Sequence, residues 1–186
     1  MKNKLLQYPY LWCSTILMVI GALFLVFPQL QFLNTEVRMY MVSHFAGHYT
    51  IDNYMQYFCA FMFIICPSKL KWWERIVLFA ISLLVFQGIS ESLKSITGVL
   101  RPDGSKYNSF PSGHTGTAFV GSTLLALHFR KYRWVVLLAF LFAASVGMLR
   151  MMNNRHWLND VLFGAGLGMF VSFTFWTMWH KYIINR

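Results

Sequence analysis

Residues 158–179 read LNDVLFGAGLGMFVSFTFWTMW, with Asp160 near the start as the one charged residue. A stretch of that length and polarity matches the roughly 20 apolar residues needed to cross the hydrocarbon core of a bilayer as a helix. Five further apolar runs precede it: Leu11–Leu33, Asn53–Cys66, Ile76–Leu93, Thr115–Phe129 and Trp134–Leu149. The whole chain is 57% hydrophobic and 12% charged over 186 residues, against about 45–50% apolar in soluble domains. The expected fold is all-α, an integral membrane bundle of six transmembrane helices. The spans and short loops consume nearly the whole length, so residues 1–186 are expected to form a single membrane-embedded domain.

A formal charge of +10 raises the question of nucleic acid, but the Lys and Arg residues stand at the ends of apolar runs rather than on a basic arm, which makes them a topology signal and excludes a nucleic-acid partner. With a cytoplasmic N-terminus, one side carries Lys2, Lys4, Lys69, Lys71, Arg75, Arg130, Lys131, Arg133, Lys181 and Arg186. The other carries Arg38, Lys94, Arg101, Lys106, Arg150 and Arg155. The excess places both termini in the cytoplasm. Lys2 and Lys4 before the first run mimic a signal peptide, yet the run is nearly span-length and no small-residue cleavage site follows, so an uncleaved first helix is expected. Trp12, Trp72, Trp73, Trp134, Trp176 and Trp179 fall near cytoplasmic helix ends, where amphipathic rings favour the headgroup boundary. Gly164 and Gly168 have the spacing that lets helices pack closely. Cys13, Cys59 and Cys66 read as inert buried thiols. Nothing in the sequence specifies an oligomeric state.

Chemistry concentrates between residues 94 and 160. Lys94 and Arg101 converge if the chain turns back between them, for which Gly98 is suited; Arg offers a planar fork for two phosphate oxygens and Lys a compact charge. Pro111-Ser112-Gly113-His114 directly precedes an apolar run, where free backbone N–H groups and the positive end of the helix dipole favour an anion. Gly113 allows close approach, and Ser112 has a hydroxyl to donate. Arg150 closes the fifth run. His156 and Asp160 share one face at i,i+4, so the carboxylate can hold Nδ1–H and leave Nε2 free to attack phosphorus. Each motif alone has a plain structural reading: a snorkelling lysine, a helix cap beside an interfacial histidine, a structural His–Asp pair. Glu91 is expected to pair with Lys94, and His44 and His48 to lie on a wet interfacial helix; Arg155, with Asn153 and Asn154 just ahead, is placed where it could contact a polar headgroup.

Taken in order, Lys94-x6-Arg101-Pro102, Pro111-Ser112-Gly113-His114 and Arg150-x5-His156-x3-Asp160 resemble the type 2 phosphatidic acid phosphatase superfamily. One departure is visible: Leu149 stands where the family pattern has serine. The resemblance implies a six-helix bundle that hydrolyses a lipid phosphate through a phosphohistidine on His156, with His114 as general acid and Lys94, Arg101, Ser112, Gly113 and Arg150 holding the phosphate. It implies no metal and no cofactor. The expected setting is the bacterial inner membrane with the site facing the periplasm, and the expected partners are a membrane lipid phosphate and the bilayer.

Overall fold

A computed structural model describes residues 8–45, 47–67 and 70–184, so Lys2, Lys4, Lys69 and Arg186 lie outside the described residues. The described residues form helices α1 (Tyr8–Val26), α2 (Gln31–Phe45), α3 (Asp52–Met55), α4 (Phe58–Ile65), α5 (Trp72–Thr97), α6 (Gly113–His128), α7 (Arg133–Met152) and α8 (Leu158–Trp179), with a short 3-10 turn at Pro28–Leu30 and a π-helical tail at His180–Ile184. The all-α membrane fold is therefore as expected.

Among the described residues, four helices are long and apolar enough to cross a membrane: Pro9–Val26, Trp72–Thr97, Arg133–Met152 and Leu158–Ile183. The other two expected spans are shorter. Asn53–Cys66 resolves into α3 and the eight-residue α4, and Thr115–Phe129 into the 16-residue α6. α6 tolerates its small and hydroxyl-bearing residues because Thr115 to Leu127 are all buried, wrapped by protein rather than lipid. The run Leu11–Leu33 needs correction. Its helix stops at Val26, since Phe27 is extended at φ −107 ahead of Pro28, and proline disfavours a helical residue before it and supplies no N–H. The chain then turns into α2, which buries only Asn34.

α8 lies between α1 and α6; α5 packs on both α6 and α8, while α4 and α7 pack on α6. α1 runs antiparallel to α8, with Tyr10 stacked near Phe173 at 6.4 Å and Gly21 against Phe163. The outer faces are apolar and exposed, as at Trp12, Leu84 and Leu137, which suits contact with lipid. Gly164 and Gly168 perform the close packing their spacing implied. A Cβ at Gly164 would stand 2.6 Å from the Ser112 carbonyl oxygen, and one at Gly168 would collide with that of Gly116. These contacts seat the start of α6 directly on α8.

Two smaller expectations are corrected. Trp176 is buried in the core rather than placed at the interface, packing beside Phe63 and His128. Cys13 is exposed and Cys66 partly so, leaving Cys59 as the buried thiol; all three are free. Both differences arise because an apolar run has an inner and an outer face that composition does not distinguish.

Candidate active site

The motif residues lie at one end of the bundle, where α5 ends, α6 begins, α7 ends and α8 begins. α5 is closed by Gly98, whose φ of 54 is left-handed and whose N–H donates to the Lys94 carbonyl at 3.1 Å, a helix stop that glycine adopts without strain. The chain thus turns back as anticipated. The Lys94 Nζ pairs with Glu91 Oε1 at 2.6 Å and lies 3.5 Å from where a Cβ on Gly113 would stand. Beyond the turn, Arg101 donates from Nε to Asn108 Oδ1 at 2.9 Å, and its backbone N–H bonds the Lys106 carbonyl at 3.0 Å. The hairpin-like loop between them fixes the guanidinium.

α6 starts at Gly113, so its first-turn N–H groups face the same region. Ser112 sits beneath them, fully buried: its N–H donates to the Asp160 carbonyl at 3.0 Å and its hydroxyl pairs with Thr115 Oγ1 at 2.9 Å. The hydroxyl is engaged inward. Arg150, in the last turn of α7, donates from Nη1 to Asp52 Oδ2 at 2.7 Å, and both side chains are buried. His114 contacts Asn53 Oδ1 through Nε2 at 2.8 Å.

His156 is 4% exposed and approaches two groups through Nδ1: the Ser109 carbonyl oxygen at 2.8 Å and Asp160 Oδ2 at 3.4 Å. A carbonyl oxygen only accepts, so Nδ1 carries the hydrogen and Nε2 keeps its lone pair. The tautomer is the one expected. Its nearest determinant is the Ser109 carbonyl, with the Asp160 carboxylate slightly farther away. Asp160 Oδ2 also accepts from the Trp157 N–H at 2.9 Å and from the Ser109 hydroxyl, closing the N-terminus of α8 with its side chain as an acidic residue at N3 does. One carboxylate therefore starts the helix and backs the imidazole.

A cavity of about 410 Å³ opens here, lined by His48, Tyr49, Thr50, Asp52, Asn53, Arg101, Ser105, Lys106, His114, Arg150, Asn153 and Arg155. Of the expected site residues, Arg101, His114 and Arg150 line it; Lys94, Ser112, Gly113, His156 and Asp160 stand outside that lining. Electrostatics ties the groups together even so. Burial and the neighbouring Arg150 and Arg155 push the Arg101 pKa below its ordinary value, against the pull of Asp103 and Asp160. That is the signature of positive potential an anion would relieve. Burial likewise pushes the His156 imidazole down, opposed by Asp160 and reinforced by Arg150 and Arg101, so the neutral ring is favoured.

Other expectations sort as follows. Glu91 does pair with Lys94. His44 lies exposed on α2, but His48 lies past the end of that helix and lines the cavity. Arg155 pairs with Asp103 at 2.9 Å, linking the loop after Arg101 to the loop before α8. Asn153 makes a two-way bond with the Tyr49 backbone, 2.8 Å in each direction. Sequence reasoning passed over Asp52, Asn53, Asn108 and Ser109. The available signals were slight: a carboxylate opening an apolar run at Asp52, and a serine two residues ahead of Pro111.

An all-helical membrane bundle whose cations, helix start and oriented histidine meet at one end defines a class of phosphate-handling membrane protein. The chain belongs to the PAP2 superfamily, whose sequence model matches residues 75–184. It is 40% identical over 103 residues to a lipid A 1-phosphatase of Porphyromonas gingivalis, a match that covers 55% of this chain and spans 23% of that protein's length. The fold resembles the transmembrane PAP2-type phosphatidylglycerolphosphate phosphatase of Bacillus subtilis (TM-score 0.69, 19% identity, 93% of this chain and 97% of the other). It also resembles Aquifex aeolicus LpxE (TM-score 0.60, 23% identity, 78% and 95%).

Proposed function

We propose that the protein is a metal-independent lipid phosphate phosphatase acting through a phosphohistidine. The observation that carries this reading is His156, buried next to Arg101 and Arg150 and held by the Ser109 carbonyl with its Nε2 lone pair free. Nε2 attacks phosphorus, the leaving lipid oxygen takes a proton from His114, and the N–P bond is then cleaved by water with His114 now accepting the proton. Lys94, Arg101, Arg150 and Gly113 hold the phosphoryl oxygens, Ser112 joins them once its hydroxyl turns from Thr115 to the phosphate, and charge developing on them is met by the two guanidiniums and the start of α6. Asp160 stabilises the cationic imidazole. His156 and Lys94 stand outside the cavity lining to which Arg101 and Arg150 belong, so the phosphoryl group moves beyond that lining to reach the ring.

The apolar outer faces and the location of the site at a bundle end make a membrane lipid the substrate. Phosphates of lipid A lead, supported by the lipid A 1-phosphatase relative; undecaprenyl diphosphate and phosphatidylglycerol phosphate are the other candidates. The proposed location is a bacterial inner membrane, and the distribution of Lys and Arg supports a site facing the periplasm.

A panel of these lipids offered to purified protein tests the reading. Inorganic phosphate should be released, insensitive to chelation by EDTA and inhibited by vanadate, and His156→Ala should abolish release. Label carried to a second lipid would make the protein a phosphotransferase. Binding of lipid with no turnover would make it a non-catalytic lipid-binding protein.

A further inference from the structure

The short helix α3 stands outside residues 75–184, the span matched by the family, yet it contacts two groups of the proposed mechanism. Asp52, 1% exposed, accepts from Arg150 Nη1 at 2.7 Å and from Asn153 Nδ2 at 3.4 Å. Its neighbour Asn53 bonds His114 Nε2 at 2.8 Å through Oδ1. The chain just before α3 is clamped by the two-way bond between Asn153 and Tyr49. One stretch, residues 49–53, thus attaches to α6, to α7 and to the loop after α7, and the three residues that make the attachments, Tyr49, Asp52 and Asn53, line the cavity.

We infer that Asp52 and Asn53 are positioning residues: Asp52 holds the Arg150 guanidinium toward the phosphate, and Asn53 keeps a proton on His114 Nε2 for the leaving oxygen. An Arg buried without a partner would turn toward any nearby acceptor, so a fixed carboxylate on one nitrogen orients the rest of the planar fork. An amide oxygen accepts without titrating. It therefore selects the protonated Nε2 without trapping the proton as a carboxylate would. Burial, then Arg150, His156 and Lys94, push the His114 pKa down to about 4 against the pull of Asp52, so before substrate binds the ring is neutral, with its one proton on the Nε2 that Asn53 Oδ1 contacts.

This inference rests on the proposed phosphatase reading, and the test separates the two. Steady-state kinetics on a lipid phosphate and competitive inhibition by vanadate are measured for the purified wild type, Asn53→Ala, Asn53→Asp and Asp52→Asn. Asn53 is exposed, whereas Asp52→Asn keeps shape but unpairs the buried Arg150 and so destabilises the fold; melting temperatures establish that each variant is folded under the assay conditions. Asn53→Ala should lower kcat by about tenfold or more with KM nearly unchanged, part of the roughly 10²–10⁴ that a positioned acid contributes. Asn53→Asp should recover part of kcat and move the alkaline limb of the pH profile upward, because a carboxylate stabilises the protonated ring. Asp52→Asn should weaken vanadate and raise KM by about tenfold, the loss of one well-held charged contact. Wild-type constants in all three variants would overturn the positioning roles alone. Tighter vanadate in Asp52→Asn would overturn them too, showing that the carboxylate competes for the anion site. A wild type neither active on lipid phosphates nor inhibited by vanadate would overturn the phosphatase reading, and this inference with it.

Discussion

Asp160→Asn separates two ways in which a carboxylate can serve a histidine. In one, the carboxylate sets the tautomer, and its loss leaves the wrong nitrogen protonated, an effect worth about 10⁴ in kcat where a triad depends on it. In this protein the Ser109 carbonyl at 2.8 Å already fixes Nδ1–H, and Asp160 Oδ2 stands at 3.4 Å. What the substitution removes is the charge. At 3.4 Å and an effective dielectric near 20, a full imidazolium–carboxylate attraction is about 5 kcal/mol. With about half of the positive charge developed on the ring in the transition state, roughly 2.5 kcal/mol is at stake, or about a hundredfold in kcat. The amide oxygen of the new side chain can still accept from the Trp157 N–H and the Ser109 hydroxyl, so α8 should start normally and KM should change little. Release of inorganic phosphate from a lipid phosphate in detergent, with kcat and KM resolved, is the measurement. A fall near 10⁴ would show that the carboxylate, rather than the carbonyl, sets the tautomer. No fall would show that the ring never becomes cationic and would refute the phosphohistidine route.

Gly164→Ala introduces a Cβ 2.6 Å from the Ser112 carbonyl, so α6 and α8 must separate at the site; destabilisation of about 1–3 kcal/mol and a disproportionate loss of kcat/KM are expected, read by thermal unfolding and kinetics together. The pH profile follows from the buried His156. The attacking ring must be neutral, and burial holds its pKa below the ordinary 6.5, so kcat/KM should persist as pH falls through 6.5 and collapse only at lower pH. An acid limb centred at or above 6.5 would contradict the buried, desolvated ring.

The bundle was legible because its signals are local. Each span is a contiguous apolar run, Gly98 stops a helix by its own φ, and Gly164 and Gly168 mark close packing by their spacing. The motif residues were legible for the same reason: His156 and Asp160 are four positions apart and Lys94 follows Glu91 by three, although His156 stands in the bend ahead of α8 and not on the helix face its spacing implied. Where an element's boundary depended on a single breaker, reading composition alone overran it, as Pro28 shows by ending α1 at Val26, well before Leu33. Burial was less legible, since Trp176 and Cys13 have similar apolar surroundings in sequence but opposite faces in the bundle.

By itself, then, the sequence determined the membrane class, the order of the three motifs and the residue types within them, because each depends on neighbours a few positions apart. Only the tertiary structure decided which group holds each of those residues. Asp52 reaches Arg150 across 98 positions, Asn53 reaches His114 across 61, and the Ser109 carbonyl reaches His156 across 47. Such pairings arise from helices being packed against one another, and no periodicity or capping rule within a single segment encodes which distant backbone oxygen or carboxylate will be brought within hydrogen-bond reach.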